Sequence, residues 1–244
     1  MEFHTFDGGS GAGDDGNSDA GGRPDCLFVL GWGNRPEHDP VRWLIDRIAD
    51  DGWRVHTATL PPHVTDVQHE WVQPVEAYAA DLDDPAVIAH SAGGLTVAHA
   101  DIDAATKTYL SPWWGDPPSR QGPVVDVAAK LPGDSRFLPS GIDEAAVLGE
   151  YATEQQLRDG PDRVSPAFLR ATRRAHRTLP DIDDDAVVFC SLTDAVVSTY
   201  AIGEAMPSAR TVLYDGGHEL FSSRSREAHL PTILSALSQG PDAL

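Results

Sequence analysis

Lysine is nearly absent from this chain: Lys107 and Lys130 are the two present, against 38 aspartates and glutamates. With the arginines counted there are 18 basic residues, and the formal net charge is −20. No broad basic surface is left to neutralise phosphates, so no nucleic-acid partner is expected. Such acidity keeps molecules hydrated and apart, and salt screens the repulsion it creates within one fold. The composition therefore predicts a salt-adapted, cytoplasmic protein. Cysteine is also scarce. Cys26 and Cys190 each sit in an apolar, strand-like run and read as free buried thiols rather than a disulfide framework. No apolar run reaches the roughly 18 residues of a membrane span, and no stable membrane insertion is expected. The first residues lack the basic and apolar segments of a secretory signal.

What remains is an ordinary core-forming composition, 41% apolar over 244 residues. That suits one large domain carrying an insertion. Residues 1–25 are dominated by glycine and aspartate and are expected to be mostly flexible, with a short strand near Glu2–Phe6 left open. Six apolar runs then read as strands: 26–30, 53–60, 86–89, 106–111, 186–191 and 209–215. Helical spacing recurs between them, at 40–50, 65–82 with a bend or restart at Pro74, and 92–100; it returns at 196–205 and 226–237. Strands alternating with helices predict an α/β fold, a mostly parallel sheet of about six strands covered on both faces. Residues 112–185 break the rhythm. They hold candidate helices at 123–131, 142–158 and 165–177 and no good strand, and read as a helical cap inserted into a core formed by 26–111 and 186–244.

The stretch "AVIAHSAGGL" (86–95) carries the chemistry. Ser91 stands at a strand-to-helix corner with Ala89 two residues before it and Gly93 two after. A nucleophile elbow needs small side chains at those positions, because strand and helix pass too closely for larger ones. A turn serine accounts for the residue equally well on this stretch alone. Serine also needs a base. His218, in "TVLYDGGHELF", follows the last strand on a glycine loop, at the carboxyl edge where open α/β sheets gather functional groups. The imidazole in turn needs a carboxylate to fix its tautomer. Asp194, just past the preceding strand, is the first candidate. Its other reading is an N-cap for the helix that follows, a role not easily shared with that of the acid. Asp116, in "SPWWGDPP", is the reserve. Donors for an oxyanion are expected from the main-chain N–H of Ala92 and, in the loop "LGWGN", from that of Trp32. Trp113 and Trp114 could line an acyl pocket, or simply pack beneath the cap.

Assembled, these residues resemble the α/β-hydrolases, which share the order serine, acid, histidine. More narrowly, "AHSAGGL", "FLRATRRAHRTL" and "TDAVVSTYAIGEAMP" running on to "GGHELFSS" resemble the lysophospholipase and monoacylglycerol-lipase-like group, also described as serine-aminopeptidase-like. The likeness covers about residues 26–238. It departs at Ala89 and Leu30, where glycine and histidine are usual, and in the two opening strands, which have no clear counterpart. The resemblance implies an α/β-hydrolase fold and a metal-independent, cofactor-free serine hydrolase. Ser91 would be the nucleophile, Asp194 the acid, His218 the base, and Trp32 with Ala92 the oxyanion donors. The implied partner is a small-molecule ester. Acyl transfer, peptidase activity and a non-catalytic binding module remain alternatives. The arginines of "RATRRAHR" read as a solvated helix face with acidic neighbours, or as an anion site.

Overall fold

A computed structural model of the chain describes residues 1–8, 22–141 and 144–244. Nine strands occur among them. Seven form one sheet: β1 (Glu2–Asp7), β2 (Asp25–Val29), β3 (Arg54–Thr59), β4 (Ala86–His90), β5 (Thr106–Leu110), β8 (Ala186–Cys190) and β9 (Thr211–Leu213). Their spatial order is β1-β3-β2-β4-β5-β8-β9. All neighbours are parallel except β1, which runs antiparallel to β3 with Phe3 opposite Ala58.

The expected six strands are therefore seven. Residues 2–7 form an edge strand rather than part of a flexible leader, while 9–21 lie outside the described residues. The edge strand, left open by the sequence, is weakly marked there for a physical reason. Its apolar residues, Phe3 and Phe6, fall on opposite faces, so no period-two stripe appears. Phe3 stacks on Tyr78 at 4.1 Å between ring centroids, and Phe6 packs beside Arg42.

Alternation along the central strands builds two cores. Leu27, Val29, Val87, Ala89 and Val188 face one side, against Trp71, Leu95 and Phe168. Cys26, Phe28, Ile88, Val187 and Phe189 face the other. There they meet Leu44, Ile45 and Ile48 of α1 (Asp39–Asp50), and Ile233 and Leu237 of α9 (Arg226–Gln239). Both cysteines are free and buried. Burial of these runs, at about 25 cal/mol per Å² of apolar surface, is the main term holding the layers together. Between β3 and β4 the expected long helix is a π-turn (Gln68–Val72) running into α2 (Gln73–Ala79), so the wider turn absorbs Pro74 at the second helical position.

The interval from Pro112 to Asp185 contains α4 (Pro123–Lys130), α5 (Ala145–Leu148), α6 (Glu154–Asp159) and α7 (Pro166–Arg177). The single helix expected over 142–158 is two short ones, with residues 142 and 143 outside the described set. The chain is pressed at Gly149 onto the 220–222 turn, where a Cβ would meet the Ser222 carbonyl oxygen at 2.5 Å. It restarts at Thr153 in a capping box with Gln156. A two-residue ladder, β6 (Leu138–Pro139) with β7 (Arg163–Val164), also appears where no strand was expected. Two of the α7 arginines tie the insertion together: Arg173 pairs with Asp126 at 2.9 Å, and Arg170 donates to the Ala129 and Leu131 carbonyls at the end of α4. No helix among the described residues is long and apolar enough to cross a membrane.

Candidate active site

Ser91 sits between β4 and α3 (Ala92–His99) with φ 51° and ψ −116°. Non-glycine residues rarely adopt positive φ, and such strain persists only where the surroundings over-determine it. Here they do. Ser91 N–H donates to the Leu110 carbonyl at 3.1 Å, and its own carbonyl accepts from Trp113 N–H at 2.8 Å. Gly93 explains the small-residue requirement. A Cβ there would collide with the Val29 carbonyl oxygen and lie 2.8 Å from that of Leu30, so the helix can approach β2 only without one. Ala92 opens α3, and its N–H is among those with no intrahelical acceptor.

His218 lies on the loop after β9. Its Nδ1 donates to Asp194 Oδ2 at 2.8 Å, and both side chains are almost fully buried. Asp194 follows β8 and uses its other oxygen separately: Oδ1 accepts from the N–H groups of Val196 at 2.8 Å and Val197 at 3.1 Å. One carboxylate thus serves the imidazole and the turn at 194–197 together, rather than capping the helix that follows. Helix α8 (Thr199–Ala205) is capped instead by Ser198, which accepts from Ala201 N–H. Burial alone would raise the Asp194 pKa. The positive field of His218, their hydrogen bond and the two main-chain donors outweigh it and hold the carboxyl below its ordinary value. Asp116, the reserve acid, instead accepts from the indole N–H of Trp113 at 3.0 Å.

The loop carrying His218 is clamped on both sides. Tyr214 Oη sits 2.8 Å from the carbonyls of Gly217 and His218, and 2.9 Å from the Ser111 hydroxyl. His218 and Glu219 donate their N–H groups to Val147 and Leu148 of α5 at 3.0 and 2.8 Å. A Cβ on Gly217 would lie 2.6 Å from the Leu148 carbonyl oxygen, which accounts for glycine there. His218 Nε2 is buried and has no hydrogen-bond partner among the described residues. Nδ1 is therefore committed to Asp194 while Nε2 is without a hydrogen bond among the described residues.

Ser91 and His218 line one cavity of about 320 Å³. Trp32, Trp113, Phe168 and Leu169 supply much of its apolar wall. The Trp32 ring stacks on Phe168 at 5.0 Å between centroids and donates its indole N–H to the Pro62 carbonyl. Trp113 lines the cavity. Trp114 does not: 2% exposed, it packs on Tyr109 and donates to the Gly94 carbonyl in the core. Asn34, His90, Gln156 and Glu219 are among the polar wall residues that the sequence reading missed. His90 and Glu219 flank Ser91 and His218 in the chain, and that adjacency was the signal available.

Comparison with known proteins bears on the fold and the family. No curated protein sequence matches the chain significantly. Among solved structures, a monoacylglycerol lipase from Paleococcus ferrophilus aligns with a TM-score of 0.70 at 17% identity, covering 100% of both chains. A soluble variant of the Saccharomyces cerevisiae monoglyceride lipase aligns with a TM-score of 0.70 at 14% identity, over 98% of this chain and 90% of that one. An esterase from Exiguobacterium antarcticum aligns with a TM-score of 0.61 at 13% identity, over 97% and 94%. Identities this low establish the shared fold. The model of the alpha/beta hydrolase family matches residues 19–228, and the chain belongs to that family.

Proposed function

We propose that the protein is a serine hydrolase of carboxylic esters, with Ser91 as nucleophile, His218 as base and Asp194 as acid. The observation that carries this reading is the buried His218–Asp194 hydrogen bond of 2.8 Å, set in the cavity that the strained Ser91 also lines. With Nδ1 committed to Asp194, the free Nε2 takes the Ser91 proton as Oγ attacks the acyl carbonyl. The N–H groups of Ala92 and Trp32 receive the oxyanion. The imidazolium then protonates the departing alcohol, and water, activated by the same Nε2, clears the acyl-enzyme. The mostly apolar wall, with Trp113 and Phe168, suits an acyl chain. The lipase and esterase relatives in structure support an ester over an amide. Residues 112–185 form the cap over this cavity, and the acidic composition suits a salt-rich cytoplasm.

The test is direct. A fluorophosphonate should label the wild-type protein at Ser91, and Ser91→Ala should lose about a million-fold in turnover of nitrophenyl esters while remaining folded. Hydrolysis by Ser91→Ala at the wild-type rate would overturn the proposal. Running the ester series at low and high salt, with competing alcohols as acceptors, separates hydrolysis from acyl transfer.

A further inference from the structure

One group on the cavity wall is out of keeping with its surroundings. Glu219 is 2% exposed and, among the described residues, has no arginine or lysine as a hydrogen-bond partner. Its carboxylate is held by three neutral donors. Asn34 Nδ2 donates to Oε1 at 2.8 Å, Gln156 Nε2 donates to Oε2 at 3.0 Å, and the Ser222 hydroxyl donates to Oε2. A buried carboxylate is costly unless its lone pairs are used, and these three donors come from three separate segments.

The orientations of the two amides follow from their other partners. Gln156 Oε1 accepts from Thr153 N–H at 2.9 Å in the cap of α6, which turns its NH₂ toward Glu219. Asn34 turns its NH₂ to Glu219, so its Oδ1 faces His90 Nδ1 at 3.0 Å. His90 Nδ1 is then the protonated nitrogen, and burial with the nearby His218 holds His90 well below its ordinary pKa, in the neutral form. The chain of bonds thus runs from α6 to Glu219, beside the base; to Asn34, two residues after Trp32; and to His90, beside the nucleophile. The His90 and His218 rings are 4.8 Å apart between centroids. Gly31 belongs to the same design, since a Cβ there would collide with His90 Nδ1 and lie 2.6 Å from Asn34 Oδ1.

We infer that Glu219 is a positioning residue: through Asn34 and His90 it sets the oxyanion loop and the elbow against the base, and through Gln156 it fixes α6 to the same point. An apolar side chain of similar size would fill the space. It would not offer acceptors toward three segments at once. Asp159 of α6, which pairs with the buried His38 at 3.2 Å, gives the helix a second attachment to the residues after Trp32. The inference rests on the serine-hydrolase reading above.

The test is Glu219→Gln, which keeps the shape but turns one acceptor into a donor facing other donors. Misplacement of the oxyanion loop acts on the transition state, so kcat should fall about a hundredfold while KM changes less than about threefold. Labelling of Ser91 by a fluorophosphonate should slow in proportion. Combining Gln156→Glu with Glu219→Gln exchanges acceptor and donor across the pair, and the double variant should turn over about tenfold faster than either single one. A kcat for Glu219→Gln within about threefold of wild type would overturn the inference. So would a loss of activity that only tracks the fraction of unfolded protein. Should Glu219→Gln not fold, Asn34→Ala leaves Glu219 with Gln156 and Ser222 and carries the same kcat-against-KM expectation. Absence of labelling in the wild type would instead remove the serine-hydrolase reading, whatever Glu219→Gln does.

Discussion

Replacing Asp194 with asparagine tests the division of labour between its two oxygens. In the wild type, Oδ1 accepts from Val196 and Val197 N–H, and Oδ2 accepts from His218 Nδ1. Asparagine has one oxygen and cannot serve both sides. If the oxygen stays with the two main-chain donors, the NH₂ faces Nδ1, the imidazole moves its proton to Nε2, and the base is lost. If the amide turns over, two buried N–H groups meet an NH₂, at a desolvation cost of about 1–3 kcal/mol each. The first arrangement is the cheaper one. The expected result is a folded protein whose kcat falls about ten-thousandfold, with KM little changed. Stability supplies a second readout with a definite sign. The Asp194 pKa is lowered in the folded protein, so its contribution is present above the ordinary value of 3.8 and is lost as pH falls through the lower, folded one. The stability gap between wild type and Asp194→Asn should therefore narrow in that acid range. Turnover of a nitrophenyl ester and urea unfolding from neutral pH downward measure both. Activity of Asp194→Asn within about tenfold of wild type would refute the assignment, and Asp116→Asn, which can still accept from Trp113, should stay near wild type.

Gly93→Ala places a Cβ against two main-chain oxygens of the β2 segment, which cannot rotate away; it should cost at least about 1–3 kcal/mol in urea unfolding, and an unchanged midpoint would sink the steric account of the elbow. Trp114→Ala should lose about 3–5 kcal/mol of stability with KM unchanged, whereas Trp113→Ala should raise KM for long-chain esters at smaller cost; similar behaviour of the two would show the cavity wall is wrongly drawn. Buried His90 and half-buried His176 both have lowered pKa values, chiefly from desolvation. The unfolded chain then takes up protons near 6.5 that the folded one refuses, so stability should fall as pH drops below that value, by at most about 1.4 kcal/mol per pH unit for each group. The slope should be shallower in His90→Gln, and an equal slope would show that His90 is not held neutral.

The parts of this fold that were readable from the sequence are those set by local pattern. Runs such as "CLFV" and "AVVFC" are apolar on both faces because both faces are covered, and their spacing alone gave the parallel sheet. The edge strand was left open rather than assigned because it is half-covered on each face, by Phe3 on one and Phe6 on the other. Residues 142–158 escaped because helical spacing does not reveal a close tertiary approach such as that of Gly149 to Ser222, where α5 ends. Trp113 and Trp114 show the same limit at single-residue scale. Adjacent in the chain and alike in chemistry, they leave the backbone in different directions, one into the cavity and one into the core.

The site divides along the same line. Ser91, Asp194 and His218 were legible because each stands at a strand end, a position that local periodicity marks, and because their order is constrained by the sheet. Asn34, Gln156 and Glu219 carry no such mark: a polar residue in a loop reads as solvated until its partners are known. Their significance arises from closure, since each amide is oriented by one bond and thereby committed to the next. Asp194 makes the same point within one residue. Cap or acid is a choice only while a carboxylate is counted as one acceptor. With its oxygens 2.8 Å from Val196 N on one side and 2.8 Å from His218 Nδ1 on the other, bonding the turn is what holds the proposed acid in line with the proposed base.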